Sequence, residues 1–232
     1  MGTFGEIVEP VSRSIWEDWD DESIGDNSTS LQWQNPLDLA DRIDTFFILE
    51  GKFISECVEI NPQAHLQLKN CVTKANLNLF ELPSQKYVCT IKGYNLLQSS
   101  EIVELLKSLL CKSKDVITIQ TKPLLEYQTT SQAYSPLVIR KLTTSTPAQI
   151  PLDFKFEKLE QPNIVSGVAA GVTCLREHLD LPATTIVCYI EHTEEYQTDE
   201  IQKILEKLKI IDGICKTKII NKSSILNSNL YI

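Results

Sequence analysis

Cys174 and His178 stand four residues apart and, with Cys188 and His192, supply the donor types of a zinc site. Zinc sites usually draw their ligands in short pairs from turns, whereas Cys188 lies inside the apolar run Ile186-Val187-Cys188-Tyr189. The favoured reading is a core cysteine beside a helix-end histidine, with His178 complementing the helix dipole. No metal is expected. Glu191, Glu194 and Glu195 could serve acid–base chemistry, but they follow a strand end in a stretch that reads as a solvated turn. Gly167-Val168-Ala169-Ala170-Gly171 lacks the third glycine and the basic residue of a phosphate-binding turn, so it reads as small residues that let a helix pack tightly on a sheet. No Gly-x-x-x-x-Gly-Lys loop, Gly-x-Gly-x-x-Gly turn, Gly-x-Ser-x-Gly elbow or His-Glu-x-x-His pair occurs. The expectation is a chain with no catalytic residue and no cofactor.

The elements that would position these groups follow from the patterning. Thr45-Phe46-Phe47-Ile48-Leu49, closed by Gly51, has the length of a buried strand, as do Lys86 to Ile91 and Val116 to Ile119, the last broken at Pro123. Ser99-Ser100-Glu101 reads as the cap of a helix carrying Ile102, Val103, Leu105, Leu106, Leu109 and Leu110 up to about Lys112. Strand, helix, strand implies a right-handed crossover and a parallel sheet. A second crossover runs from Asn163-Ile164-Val165 through a helix to about His178, a stop at Pro182 and a strand from Ala183 to Tyr189. Thr198-Asp199-Glu200 then caps an amphipathic helix with Ile201, Ile204, Leu205 and Leu208. The fold class is α/β: a single multilayer domain with a mostly parallel sheet flanked by helices.

Three regions are expected. Residues 1–43 form an acidic, largely disordered arm, where Glu17, Asp18, Asp20, Asp21, Glu22 and Asp26 cluster without a basic residue between Arg13 and Arg42. Trp16, Trp19 and Trp33 either anchor this arm on a partner or pack back onto the domain. Residues 44–212 form the α/β domain, with a polar surface excursion at 122–150 that contains a possible strand, Leu137 to Arg140. Residues 213–232 form a flexible tail, basic and then small and polar, with the hydrophobic tip Leu230-Tyr231-Ile232.

The 232 residues carry a net charge of -9, which argues against nucleic acid or an anionic membrane as the main partner, since both require a positive footprint. The 7 cysteines form no C-x-x-C pair and mostly sit in apolar runs, so they read as buried reduced thiols. No apolar leader and no apolar stretch of roughly 20 residues is present. Cytoplasmic residence is the expectation.

The string Leu159-Glu160-Gln161-Pro162-Asn163-Ile164-Val165 resembles the hallmark segment of the larger subunit of the paired proteasome assembly chaperones. The opening Thr3-Phe4-Gly5-Glu6-Ile7-Val8, the acidic arm, the Pro182-Ala183 strand entry and the ending Ile225 to Ile232 resemble that family in order and position. The resemblance implies a non-enzymatic chaperone that forms a heterodimer with a second assembly chaperone. It also implies binding to proteasome α-subunits, support of α-ring assembly of the core particle and suppression of off-pathway α-ring dimerisation. The family's hydrophobic-Tyr-x (HbYX) ending, which enters a pocket between α-subunits, falls here on Leu230, Tyr231 and Ile232.

Burying Leu230 would contribute about 1.5–3 kcal/mol, and a charge-assisted bond from the Ile232 carboxylate about 1.5–3 kcal/mol. Ordering the backbone costs about 1–2 kcal/mol per residue. Such a tail binds weakly alone and needs a second contact acting through effective concentration. The rival expectation is a small-molecule (nucleoside-type) binding protein or a hydrolytic enzyme, because open α/β sheets commonly bind ligands at their strand ends.

Overall fold

The structure, a computed structural model, describes residues 30–59, 66–129, 135–149, 156–191 and 195–212. The central strands are β1 (Ile43–Glu50), β4 (Lys86–Ile91), β5 (Ser113–Pro123) and β8 (Ala183–Ile190), all parallel in the order β4-β1-β5-β8. They are buried along most of their length because helices cover both faces. Side chains alternate across β1, with Phe46 and Ile48 on one face and Phe47 and Leu49 on the other. On the Phe46 face lie α2 (Ser99–Lys112) and α3 (Gly167–His178). On the Phe47 face lie α1 (Lys52–Glu59) and α4 (Glu195–Lys207). The two cores meet only through the sheet, which gives the α/β sandwich expected from the sequence.

Antiparallel strands extend both sides. β2 (Gln67–Val72) and β3 (Leu77–Leu82) form a hairpin that pairs with β4. β6 (Leu137–Thr143) runs antiparallel to β8 and holds the two-residue β7 (Glu157–Lys158). The segment 122–150 is therefore more than a surface excursion, because the strand predicted at Leu137 to Arg140 joins the main sheet. β6 is only partly buried along its length, which is why its sequence is mixed.

Other differences have local causes. Ser99 does not cap α2; its hydroxyl donates to the Leu96 carbonyl at 2.5 Å. Glu101 instead accepts the Leu31 N–H at 2.6 Å. Leu31 is buried, and Trp33, Leu37 and Leu39 pack on the Phe46-face core, so the arm expected to reach residue 43 gives way to packed chain by Leu31. Asn70 holds this segment to the β2 edge, accepting from the Asn35 N–H at 3.2 Å and donating to the Asn35 carbonyl at 2.7 Å. α4 begins a turn before Thr198, since Glu195 and Gln197 are good helix formers. The expectations for residues 1–29 and 213–232 lie outside the described residues.

The cysteines also divide. Cys57, Cys89 and Cys188 are buried, but Cys111 and Cys174 are exposed and Cys71 is intermediate, so a uniform set of buried thiols is corrected. The apolar face of α2 runs through Ile102, Leu106, Leu109 and Leu110, which leaves Cys111 towards solvent. Burial pushes the Cys57 and Cys188 thiols up to about 12, which keeps both protonated at neutral pH. Among the described residues no helix is long and apolar enough to cross a membrane.

Arg176 bolts the lower end of α3. Its side chain is 0% exposed and donates to the carbonyls of Leu110 (2.6 Å), Ser113 (2.9 Å), Lys114 (2.9 Å) and Pro182 (2.7 Å). The guanidinium thereby satisfies the end of α2 and the entries to β5 and β8 together. Burial lowers its pKa, with Asp115 opposing. We predict that Arg176→Met costs about 3–5 kcal/mol, because several carbonyls lose their donor. Arg176→Lys should recover only part of this, since an ammonium cannot span the same fork. Urea unfolding of the variants measures both effects.

Candidate partner-docking face

The chain beyond the C-terminal ends of the parallel strands carries several solvent-facing apolar side chains. Leu96 and Leu97, in the turn after β4, are 66% and 87% exposed. Leu125, in the turn after β5, is 98% exposed. Ile164, in the segment leading into α3, is 75% exposed. Exposed leucines also stand elsewhere, at Leu68 on β2 and at Leu179 after α3, but this end of the sheet carries four of the six large exposed apolar residues among those described.

The segment 159–166 is not a loose loop. The Leu159 N–H donates to the Lys141 carbonyl at 2.8 Å. Glu160 accepts from Arg140 Nε at 2.9 Å and from the Tyr127 hydroxyl, while Arg140 Nη2 donates to the same hydroxyl at 2.8 Å and its guanidinium lies 5.3 Å from the Tyr127 ring centroid. Asn163 brackets Gln128, accepting its N–H at 2.8 Å and donating to its carbonyl at 2.7 Å. Lys122 Nζ donates to the Ile164 carbonyl at 3.3 Å and to Ser166 Oγ at 3.0 Å. Glu160 and Asn163 tie the segment to β6 and to the turn after β5, while Ile164 stays exposed. The segment forms one wall of an open cavity of about 580 Å³, lined by Leu159, Ile164 and Val165 on one side and by Leu142, Ala170 and Cys174 on the other.

The segment feeds α3, whose first turn is fixed by β1. Glu50, the last residue of β1, accepts the Ala169 N–H at 2.7 Å and the Val168 N–H at 3.3 Å, and Tyr94 donates to it at 2.5 Å. The carboxylate thus meets the positive end of the helix. Gly167 has φ +74, and a Cβ there would stand 2.5 Å from Glu50 Oε1. Only glycine permits that approach. Burial raises the Glu50 pKa, opposed by the bonds from Tyr94, Ala169, Gln120 and Val168. Burial and the bond to Glu50 push the Tyr94 phenol up to about 12. Gly171, the other glycine of the run, lets α3 approach α2: a Cβ there would meet Val103 Cγ2 at 2.8 Å. The small residues therefore serve a helix–helix contact as well as the start of α3.

The residues singled out by chemistry do not converge. Cys188 packs in the Phe47-face core, whereas Cys174 is exposed on α3, which covers the Phe46 face. His178 ends α3, and His192 and Glu194 lie outside the described residues. Leu230, Tyr231 and Ile232 lie outside them as well. What the sequence did not disclose is the set Glu50, Tyr94, Arg140 and Tyr127. The available signal was Glu50 itself, an acid at the end of an otherwise apolar strand.

No family model and no curated protein sequence matches the chain. In shape it is similar to PbaA from Pyrococcus furiosus, an archaeal homolog of proteasome-assembly chaperone. The TM-score is 0.51 at 8% identity, covering 78% of this chain and 86% of that one. A monoclinic form of PbaA gives a TM-score of 0.52 at 8% identity over 73% and 79%. A protein of unknown function from Thermoplasma acidophilum gives 0.52 at 9% over 72% and 76%. At these identities the likeness establishes a shared fold, and the structural neighbours include homologs of proteasome assembly chaperones.

Burial works against the Glu160 carboxylate, but the bonds from Tyr127 and Arg140 outweigh it and hold its pKa below the ordinary 4.5. The folded chain then binds fewer protons than the unfolded chain near that pH. Stability from this group is complete above about pH 5 and is lost as pH falls through the depressed value. Because Glu160 is 38% exposed, the contribution is small, about 0.5–1 kcal/mol. Glu160→Gln should flatten the acid limb of a pH titration of thermal stability; a slope equal to that of the native chain would contradict the network described.

Proposed function

We propose that this chain is a proteasome-assembly chaperone that acts by binding alone. It pairs with a second, similarly folded assembly chaperone and binds proteasome α-subunits, supports formation of the α-ring and prevents its off-pathway dimerisation. Leu230, Tyr231 and Ile232 dock between α-subunits, and the chaperone works in the cytoplasm. The observation that carries the reading is the segment Leu159 to Val165, whose residues resemble the family's hallmark and whose Ile164 is held facing solvent at an apolar end of the sheet. The fold shared with an archaeal homolog of proteasome-assembly chaperone supports it.

The rival reading, a nucleoside-binding or hydrolytic enzyme, would use the crevice beyond the C-terminal ends of β1 and β5, where connections to opposite faces diverge. Glu50, Tyr94 and Gln120 fill that crevice with side chains that bond one another and the start of α3. That packing favours binding over catalysis.

Deleting Leu230 to Ile232 should weaken α-subunit association about tenfold or more, from the loss of a buried leucine and a charge-assisted bond. Far-ultraviolet circular dichroism and the unfolding midpoint should stay unchanged. Equal capture of α-subunits by the truncated and full chains in a quantitative pull-down would sink the docking mechanism.

A further inference from the structure

We propose that a basic trough at the N-terminal ends of the parallel strands is a docking site for an acidic polypeptide segment of a partner protein. The trough is an open cavity of about 700 Å³ at the opposite end of the sheet from Leu96, Leu97, Leu125 and Ile164. Lys86 opens β4, Lys114 lies at the start of β5, and Lys207 and Lys209 stand at the end of α4 and just beyond it; all four line the cavity. A smaller cavity of about 160 Å³ shares Lys86 and Lys209 with it and continues it towards Leu82.

Four lysines in one place are a departure for a chain with 31 acidic and 22 basic residues. The helix dipole accounts for Lys207 and Lys209, which sit at the negative end of α4. It does not account for Lys86 and Lys114, which come from strands. The last carbonyls of α4 are not left for the ammonium groups either, because the N–H groups of Lys209 and Ile210 donate to Glu206 and Leu205 at 2.8 and 2.9 Å. Two carboxylates line the cavity, Asp44 and Asp115. Asp115 is 5% exposed, accepts the Gln149 N–H at 2.9 Å and acts on the buried Arg176 cation, so its charge is turned inward. Lys114 approaches it only to 4.0 Å, and among the described residues Lys86 and Lys209 form no ion pair. The side open to solvent therefore sets four ammonium groups against the carboxylate of Asp44.

The form of the trough selects its occupant. Phe47, Ile117 and Leu208 make an apolar floor on which an aliphatic or aromatic side chain can seat between the charges. The ammonium groups stand on separate stems from β4, β5 and the end of α4, and act as spaced point charges. No arginine lines the cavity. A phosphate is held best by a guanidinium fork or a nest of backbone N–H groups, whereas carboxylates spaced along a chain match spaced lysines. The partner segment is accordingly acidic with an apolar anchor. This surface goes beyond the chaperone reading and does not rest on it.

The test is fluorescence anisotropy of a fluorescein-labelled glutamate-rich peptide bearing one leucine, titrated with the full chain at low ionic strength. Binding should saturate, weaken with added salt and vanish for the peptide in which glutamine replaces glutamate. The double variant Lys86→Gln, Lys209→Gln should weaken binding about fivefold, the effect expected of two exposed charge pairs. The control Lys69→Gln, Lys107→Gln removes the same charge from lysines that pair with Glu81 and Glu104 elsewhere on the surface, and should leave binding unchanged. Equal weakening by the control would overturn the proposal, as would equal binding of the glutamine peptide. Binding of inorganic polyphosphate but not of the glutamate peptide would overturn it in favour of a phosphate ligand. Should the double variant fail to fold, exposed Lys209→Gln against Lys107→Gln decides the matter at about twofold.

Discussion

The contact between Glu50 and the first turn of α3 is the constraint on which the C-terminal end of the parallel sheet depends. A strand end and a helix start are joined by a charge-assisted bond of 2.7 Å from Ala169 and by the Val168 N–H, which is shared between the Tyr94 hydroxyl at 2.8 Å and Glu50 at 3.3 Å, through a gap that tolerates no Cβ at residue 167. Each bond to a charged group contributes about 1.5–3 kcal/mol, and breaking one side of such a pair costs more than the pair gains. Arg176 does the corresponding task at the other end, where its cation meets the carbonyls that close α2 and open β5 and β8. α3 is therefore fixed at both termini by complementary charge, an anion at its positive end and a cation in its last turn.

A helix held this way transmits its position to the chain that enters it. Residues 159–166 arrive at α3 already bonded to β6, to the end of β5 and to the turn after it. Little freedom remains in the segment, so a partner that covers Ile164 would not have to order it. Preorganisation of this kind raises affinity by lowering the cost of binding rather than by adding contacts. It suits a protein whose other proposed contact, a short terminal peptide, is weak alone. Two modest contacts on one chain reinforce each other through effective concentration.

Strands β1, β4, β5 and β8 and helices α2, α3 and α4 were legible because burial on two faces or one face writes an apolar run or a helical stripe. The α1 helix and the β2–β3 hairpin were not. α1 is eight residues long, too short for a stripe to repeat, and β2 is an edge strand whose Gln67, Leu68 and Lys69 face water. The packed chain around Leu31 was hidden by polar neighbours, because its partner is a lone N–H acceptor, Glu101, far along the sequence. The long-range polar pairs were equally hidden. Nothing in the local text near Arg140 foretells Glu160, and Arg176 looks like an ordinary solvated residue of an amphipathic helix. Long-range hydrogen bonds leave no periodic trace. The segment Leu159 to Val165 was visible as a string of residues, and the structure adds that Asn163 and Glu160 tie it to Gln128 and Arg140.

Native mass spectrometry of the full chain, purified gently together with whatever it holds, should find a complex containing one further folded chaperone of similar fold and proteasome α-subunits, with no stoichiometric small molecule. A chain that carries a nucleoside or similar metabolite in a defined ratio, and no α-subunit, would contradict the assembly-chaperone reading.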